Sequence, residues 1–387
     1  MKIDDKTSHN SPSLRFPEFT GEWEKCKLGT LATKVGSGST PKGGDAVYTS
    51  IGHYFVRSQN VGMGFLMLDN IAHINDDIHQ KHKATEIYEN DVLLNITGAS
   101  IGRTAVATKE LEGGNVNQHV CIIRTNSKVN PKFLCDYIQT QRIQNHIKSL
   151  QTGGSREGLN FEQIRSFPIS LPSINEQNKL TCLLDKINER IATQVRLIED
   201  LKKLRCAVSN KLFQSVKGVV IPLSGISNIV KGKQINGDFL AEVGEYYVMN
   251  GGTEPSGYYD NYNVEANTIS ISEGGNSCGY VQFNRMPFWS GGHCYTIQDI
   301  ASDVETLYLY HYLKSKEDSI MKLRIGTGLP NIQKKDLAEF KVIIPAIEQQ
   351  RTISNILSLL ERKTEIEGRM LIAMRTEKQY LLRQMFI

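Results

Sequence analysis

The 387-residue sequence has no apolar run near the ~18 residues of a membrane span, and its mean hydropathy is −0.32. A helical membrane protein is therefore not expected. The opening stretch is charged and polar (Lys2, Asp4, Asp5, Lys6) with no apolar segment behind it, so no secretory signal is expected either. Seven cysteines include no Cys-x-x-Cys pair and read as ordinary thiols of a reducing cytoplasm, which argues against a disulfide framework or a zinc site. Charge of one sign is also scarce: Lys+Arg 45 against Asp+Glu 41 leaves +4, which suits nucleic-acid binding only if the basic residues cluster. With 40% hydrophobic residues, 22% charged residues and 32 glycines, disorder and fibrous architecture are excluded. The length suggests two or three domains.

What the sequence does have is a repeat. Pro172, Ile174, Gln177, Leu184, Arg196 and Phe213 recur as Pro345, Ile347, Gln350, Leu357, Arg369 and Phe386, at a constant offset of 173. Both copies are helical by period. Leu184, Ile187, Ile191, Gln194, Ile198, Leu201 and Arg205 alternate in steps of three and four, as do Leu357, Leu360, Thr364, Glu367, Leu371, Met374, Lys378 and Leu381. Two matched seams predict antiparallel pairing of these helices, and Ser173 with Glu176 predicts a capping box at the first. About forty helical residues would span roughly 60 Å.

The segments ahead of each helix match more loosely. Gly98-Ala99-Ser100-Ile101-Gly102 parallels Gly275-Asn276-Ser277-Cys278-Gly279, His119 parallels His293, and Thr152-Gly153 parallels Thr327-Gly328. Short strands, Gly-rich turns and helices over 131–148 and 304–322 predict an α+β class. The layout is an N-terminal segment (1–22), a first mixed α/β module (23–171), a spacer helix (172–215), a second similar module (216–344) and a second spacer helix (345–387). The two modules are read as separated by an antiparallel coiled coil, with a pseudo-two-fold internal repeat.

Motifs that resemble catalytic signatures fail on context. Gly98-x-Ser100-x-Gly102 needs a following helix to be a nucleophile elbow, whereas Arg103–Val106 reads as a strand, so a strand-to-strand turn is expected. Asn130-Pro131-Lys132-Phe133 lacks the second proline of an adenine methyltransferase motif and reads as a helix start. Gly36–Lys42 lacks the Gly-Lys-Ser/Thr end of a phosphate loop. Glu339-x-Lys341 stands without a partner acid, and His53, His73, His79 and His82 show no metal-ligand spacing that recurs in the second module. No catalytic residue and no metal are expected.

Side chains suited to reading base edges, by contrast, gather beside turns in both modules. The candidates are Arg57, Gln59, Asn60, Asn95, Arg103, Asn117, Gln118, His119 and Arg156 in the first. In the second they are Asn250, Asn276, Arg285, His293, Arg324, Asn331 and Lys334. Polar loops presented twice suit two half-sites on a duplex.

These residues carry a family resemblance. Leu14-Arg15-Phe16-Pro17-x-Phe19-x-Gly21-x-Trp23, the run Asp91–Arg103 and Asn115-Val116-Asn117-Gln118-His119-Val120 resemble the specificity subunit of a type I restriction–modification system. So do the module ends, Leu171-Pro172…Glu176-Gln177 and Ile344-Pro345…Glu348-Gln349. The resemblance implies a non-catalytic, cytoplasmic protein whose two target recognition domains each read half of a bipartite DNA site. It further implies helices that dock two copies of a modification (methyltransferase) subunit, to which restriction subunits are added. S-adenosylmethionine would belong to the modification subunit, with no cofactor on this chain. A single-chain methyltransferase or nuclease with its own recognition domains is the alternative.

Overall fold

The computed structural model describes residues 10–151, 158–326 and 330–387, leaving aside the Asp45 side chain. Arg156 and the Thr152-Gly153 and Thr327-Gly328 pairs lie outside the described residues. Two compact units form: one of the residues up to Thr193 together with Leu371–Ile387, the other of Gln194–Met370.

The first unit holds three sheets among its described residues. Val92–Asn95 is central in the largest, which runs in the order Ala32–Ser37, Val120–Thr125, Val92–Asn95, Thr104–Val106, antiparallel throughout. His53–Val56 pairs antiparallel with Ala72–Ile74 and parallel with Asn115–Val116. Glu24–Lys27 pairs antiparallel with Pro168–Leu171 and closes the module on itself. All four residues of Val92–Asn95 are buried, as expected of a strand covered on both faces.

The second unit repeats this strand for strand. Its large sheet runs Asn228–Lys231, Cys294–Gln298, Thr268–Ser272, Val281–Asn284. Tyr246–Met249 pairs antiparallel with Tyr258–Tyr259 and parallel with Trp289–Ser290, and Val219–Pro222 pairs antiparallel with Lys341–Ile344. Order and sense agree in all three sheets. The α+β class and the internal repeat are thus features of the fold.

The expected helices over 131–148 and 304–322 each divide in two. The first becomes Pro131–Gln139 and Gln141–Gln151, interrupted at Thr140; the second becomes Thr306–Ser315 and Glu317–Met321, interrupted at Lys316. Asn130 caps the first of these through its side chain, with proline in the opening turn where no amide donor is required.

The long helices are Ile174–Ser215 and Ile347–Met385. In the first unit, Leu180 and Leu184 near the start of one join Leu382, Met385 and Phe386 at the end of the other in a single core, so the segments run antiparallel. Phe386 stacks on Phe133 and meets Trp23 and Tyr137 edge-on. In the second unit, Ile353 and Leu357 share a core with Phe213, which meets Tyr308 and Tyr312. These residues are equivalent under the offset of 173. Of the expected seam, Leu184 and Leu357 are buried, while Ile187, Ile191, Ile198, Leu201, Leu360, Leu371, Met374 and Leu381 are half-buried.

The expected capping box is not completed. Ser173 Oγ accepts from the Glu176 amide at 3.4 Å, but the Glu176 carboxylate does not return to the cap. It takes a bidentate pair of bonds from Arg15 at 2.7 Å each and a third from the Trp23 indole. A guanidinium fork outcompetes one backbone N–H for a buried carboxylate.

Candidate nucleic-acid interface

Each unit gathers three turns at one end of its sheets, and backbone geometry explains why glycine recurs there. Gly98 and Gly102 have φ of +69° and +85°; Gly275 and Gly279 have +74° and +90°. Only glycine occupies that region without strain. Each pair brackets a single 3₁₀ turn joining two antiparallel strands. The Gly-x-Ser-x-Gly pattern is a hairpin connection, with no helix behind the serine. Gly38 and Gly232 are a further repeated pair. A Cβ on Gly38 would lie 1.6 Å from the Val116 carbonyl oxygen, and one on Gly232 would lie 2.2 Å from that of Gly291.

In the first unit the Asn95 amide donates to the Ser58 carbonyl at 2.8 Å, tying the turn after Val56 to the Gly98 turn. The Ile96 amide donates to the His119 carbonyl, and Thr97 Oγ bonds the His119 ring, adding the third turn. Thr40, in the Gly36–Lys42 loop, bonds Gln118, and Ser39 bonds His82. The second unit uses equivalent positions. Ser272 Oγ donates to the Gly251 carbonyl at 2.6 Å, and the Glu273 amide donates to the His293 carbonyl at 2.9 Å.

The structure sorts the candidate residues. Arg103, Gln59 and Gln118 are exposed on these turns and His119 is half-exposed. Arg57 lies half-buried 5.5 Å from the Tyr48 ring, with a buried Nε that has no hydrogen-bond partner. Asn276, His293, Arg324, Asn331 and Lys334 are exposed in the second unit, and Asn331 bridges both Gly274 and Ile325 through its backbone.

Other candidates serve the fold instead. Asn60 is buried, accepting from the Arg57 amide and donating to the Met67 carbonyl. Asn95 is buried on Ser58 and Val61, and Asn117 is buried accepting from the His119 amide. Half-buried Asn250 accepts from the His293 amide at 3.2 Å. Arg285 sits at the far end of its strand, paired with Glu365 at 3.2 Å and Glu361 at 3.8 Å on the second long helix. An asparagine satisfies a turn's backbone as readily as an adenine edge, so residue type alone does not separate the two roles.

Three residues of the second unit's turn end escaped the sequence reading. The Glu273 carboxylate, buried beneath the turns, accepts from Lys231 Nζ at 2.6 Å and from the Tyr295 hydroxyl at 3.0 Å. Burial and the bond to Glu273 push the Tyr295 hydroxyl well above its usual pKa. An acid directly after the Thr268–Ser272 strand and two residues before Gly275 was the available signal. Among the described residues, no three His, Cys, Asp or Glu side chains gather as a metal site would require.

The family model for the type I restriction modification DNA specificity domain matches residues 20–203 and again 216–373. The chain belongs to this family. Its two matched stretches make it a DNA sequence-specificity subunit with two recognition domains. It is similar to a type I specificity subunit of Mycoplasma pneumoniae, 33% identical over 145 residues, a match covering 37% of this chain and 38% of that protein. A type I specificity subunit of Mycoplasma genitalium is 23% identical over 307 residues, covering 75% of this chain and 79% of the relative. The crystal structure of a type I restriction–modification S subunit from M. genitalium shares the fold: TM-score 0.67 at 20% identity, covering 97% of this chain and 99% of that one. No helix among the described residues is long and apolar enough to cross a membrane.

Proposed function

We propose that this subunit acts in the cytoplasm by recognition alone, each module reading one half of a bipartite DNA site through its turn end. The observation that carries this reading is the duplication of the turn end itself. The same glycines, strand ends, hydrogen bonds and one histidine (His119 and His293) recur in both units, while the other exposed side chains differ: Arg103 and Gln118 in one, Asn276 and Arg324 in the other. A common frame with different polar tips suits two different half-sites.

The long helices would dock two copies of a modification subunit, and restriction subunits would join that assembly. S-adenosylmethionine would be bound by the modification subunit. The name of the M. genitalium relative and the family description support the assignment to such a system. The alternative, a single-chain methyltransferase or nuclease, has no motif in its favour. Methyl transfer to DNA, measured with the purified chain alone and with its modification subunit, decides between them. Transfer is expected only in the mixture; turnover by the chain alone overturns the proposal.

A further inference from the structure

The two turn ends share a backbone but differ at one buried spot. Strand register places Ser37 opposite Cys121 in the first unit, where the second has Lys231 opposite Tyr295. Counting from the Gly98 and Gly275 turns, Ile96 stands where the second unit has Glu273. An apolar position has thus become an ionisable one, directly beneath the turns.

Glu273 is held there at a cost in solvation that demands compensation. Its side chain is 10% exposed. One carboxylate oxygen is satisfied by Lys231 and Tyr295. The other is buried and accepts no hydrogen bond, lying 3.7 Å from Nδ1 of His293. The two side chains leaning on this carboxylate reach solvent: Lys231 is 52% exposed and His293 64%. A buried carboxylate beneath two exposed donors holds their heads in place while leaving N–H groups turned outward for an acceptor.

We propose that Lys231 and His293, both anchored on Glu273, form a two-donor fork that reads a guanine in the half-site of the second module. The ammonium has three N–H donors and spends one on Glu273; the imidazole turns Nδ1 toward the carboxylate and leaves Nε2 to point away. Guanine presents two adjacent acceptors, N7 and O6, in the major groove. Adenine and cytosine each present an amino donor that would oppose a cation, and thymine offers one acceptor beside a methyl group. Glu273 is a positioning residue, fixing both donors. In the first module Ser37 and Ile96 supply neither cation nor anchor, so no equivalent reader exists there. This inference rests on the proposed reading of the turn ends as the DNA-facing surface.

The test selects duplexes from a random pool with the full chain in complex with its modification subunit. The wild-type complex should recover a bipartite site with a guanine at one fixed position of one half. Lys231→Ala and His293→Ala, both at exposed side chains, should each lower the preference for guanine there roughly ten- to hundred-fold. All other positions should keep their preferences. Glu273→Gln should relax the same position, whereas Tyr295→Phe, which loses bonds to the same carboxylate and to the Ile332 carbonyl but leaves Lys231 its anchor, should keep it. If the wild type selects a bipartite site and the Lys231 and His293 variants retain every base preference, the fork is wrong while the reading of the turn ends stands. Uniform weakening across all sequences would make these residues phosphate contacts and also overturn it. Absence of any selected site with wild type would sink the underlying reading instead.

Discussion

Gln177 and Gln350, 173 residues apart, make the same three hydrogen bonds in their respective units. Each side-chain carbonyl accepts, at 2.8 Å, the backbone N–H of the residue capping the module's helix, Asn130 in one case and Glu305 in the other. Each amide then donates to two backbone carbonyls: Lys128 and Pro172 for Gln177, Asp303 and Pro345 for Gln350. Both glutamines are fully buried. One side chain thereby joins the start of a long helix to the start of a module helix, through groups that would otherwise be orphaned.

Gln350→Leu is predicted to leave the Glu305 amide and two carbonyls unpaired, destabilising the second unit by about 2–4 kcal/mol. Gln177→Leu should do the same to the first. Thermal unfolding followed by limited proteolysis checks this: each variant should expose cleavage sites in its own unit. Wild-type melting for both variants would contradict the role.

Arg103 and Arg285 were equivalent candidates by residue type, and their surroundings predict different outcomes. Arg103 projects from the hairpin turn, so Arg103→Ala should cost about 1–3 kcal/mol of DNA affinity, at one base if it reads an edge and at all sequences alike if it meets a phosphate. Arg285→Ala breaks an exposed pair with Glu365 and Glu361, worth no more than about 1 kcal/mol of stability, and should leave base preference unchanged. Competition binding with single-base variants of the site separates the two.

The repeat was legible because the helices impose a strict three-and-four spacing over some forty residues, and Leu184, Phe213, Leu357 and Phe386 must keep their places for the cores to close. The hairpin turns were legible for a similar reason, since Gly98 and Gly275 need backbone angles other residues resist. Individual interface roles were not. Asn60, Asn95 and Asn117 have the composition of base readers, but each is spent on backbone: Asn60 and Asn117 on groups of their own turns, Asn95 on Ser58, 37 residues away, and residue type does not separate these uses from base contacts. Glu273 stood in view beside the Gly275 turn, but its partners Lys231 and Tyr295, 42 and 22 residues away, were not visible as such. Glu176 read as a cap because Arg15, 161 residues away, was not visible as its partner.

The polar interruption of the helix seam predicts acid sensitivity. Gln194 donates to the Glu367 carbonyl at 3.1 Å and to its carboxylate at 2.5 Å, with Lys363 2.5 Å from the other oxygen. These bonds, Lys363 first, hold the Glu367 carboxyl below its usual value of 4.5. A depressed carboxylate pKa contributes stability above the unfolded value and loses it as pH falls through the folded one. Glu367→Gln should therefore flatten the acid limb of a stability–pH curve below about 4.5. An unchanged limb would remove Glu367 from the account of acid unfolding.

Asp136 predicts the opposite slope in the first unit. It lies buried in the Pro131–Gln139 helix, receiving a 3.3 Å bond from Gln139. Burial pushes its carboxyl from 3.8 up to about 7, against the pull of the Lys378 and Lys132 charges and with the push of Asp185. The folded form thus holds a proton that the unfolded chain gives up near pH 4. Stability from this group is complete below the unfolded value and declines as pH rises through about 7, by about 1.4 kcal/mol for each pH unit separating the two pKa values. Asp136→Asn keeps the hydrogen-bonding shape without the charge, so it should abolish this decline and raise the melting temperature at pH 8 relative to wild type. At pH 4 the two proteins should melt together. A variant that melts lower than wild type at pH 8 would mean that the ionised carboxylate, drawn by Lys378, is the form the fold prefers.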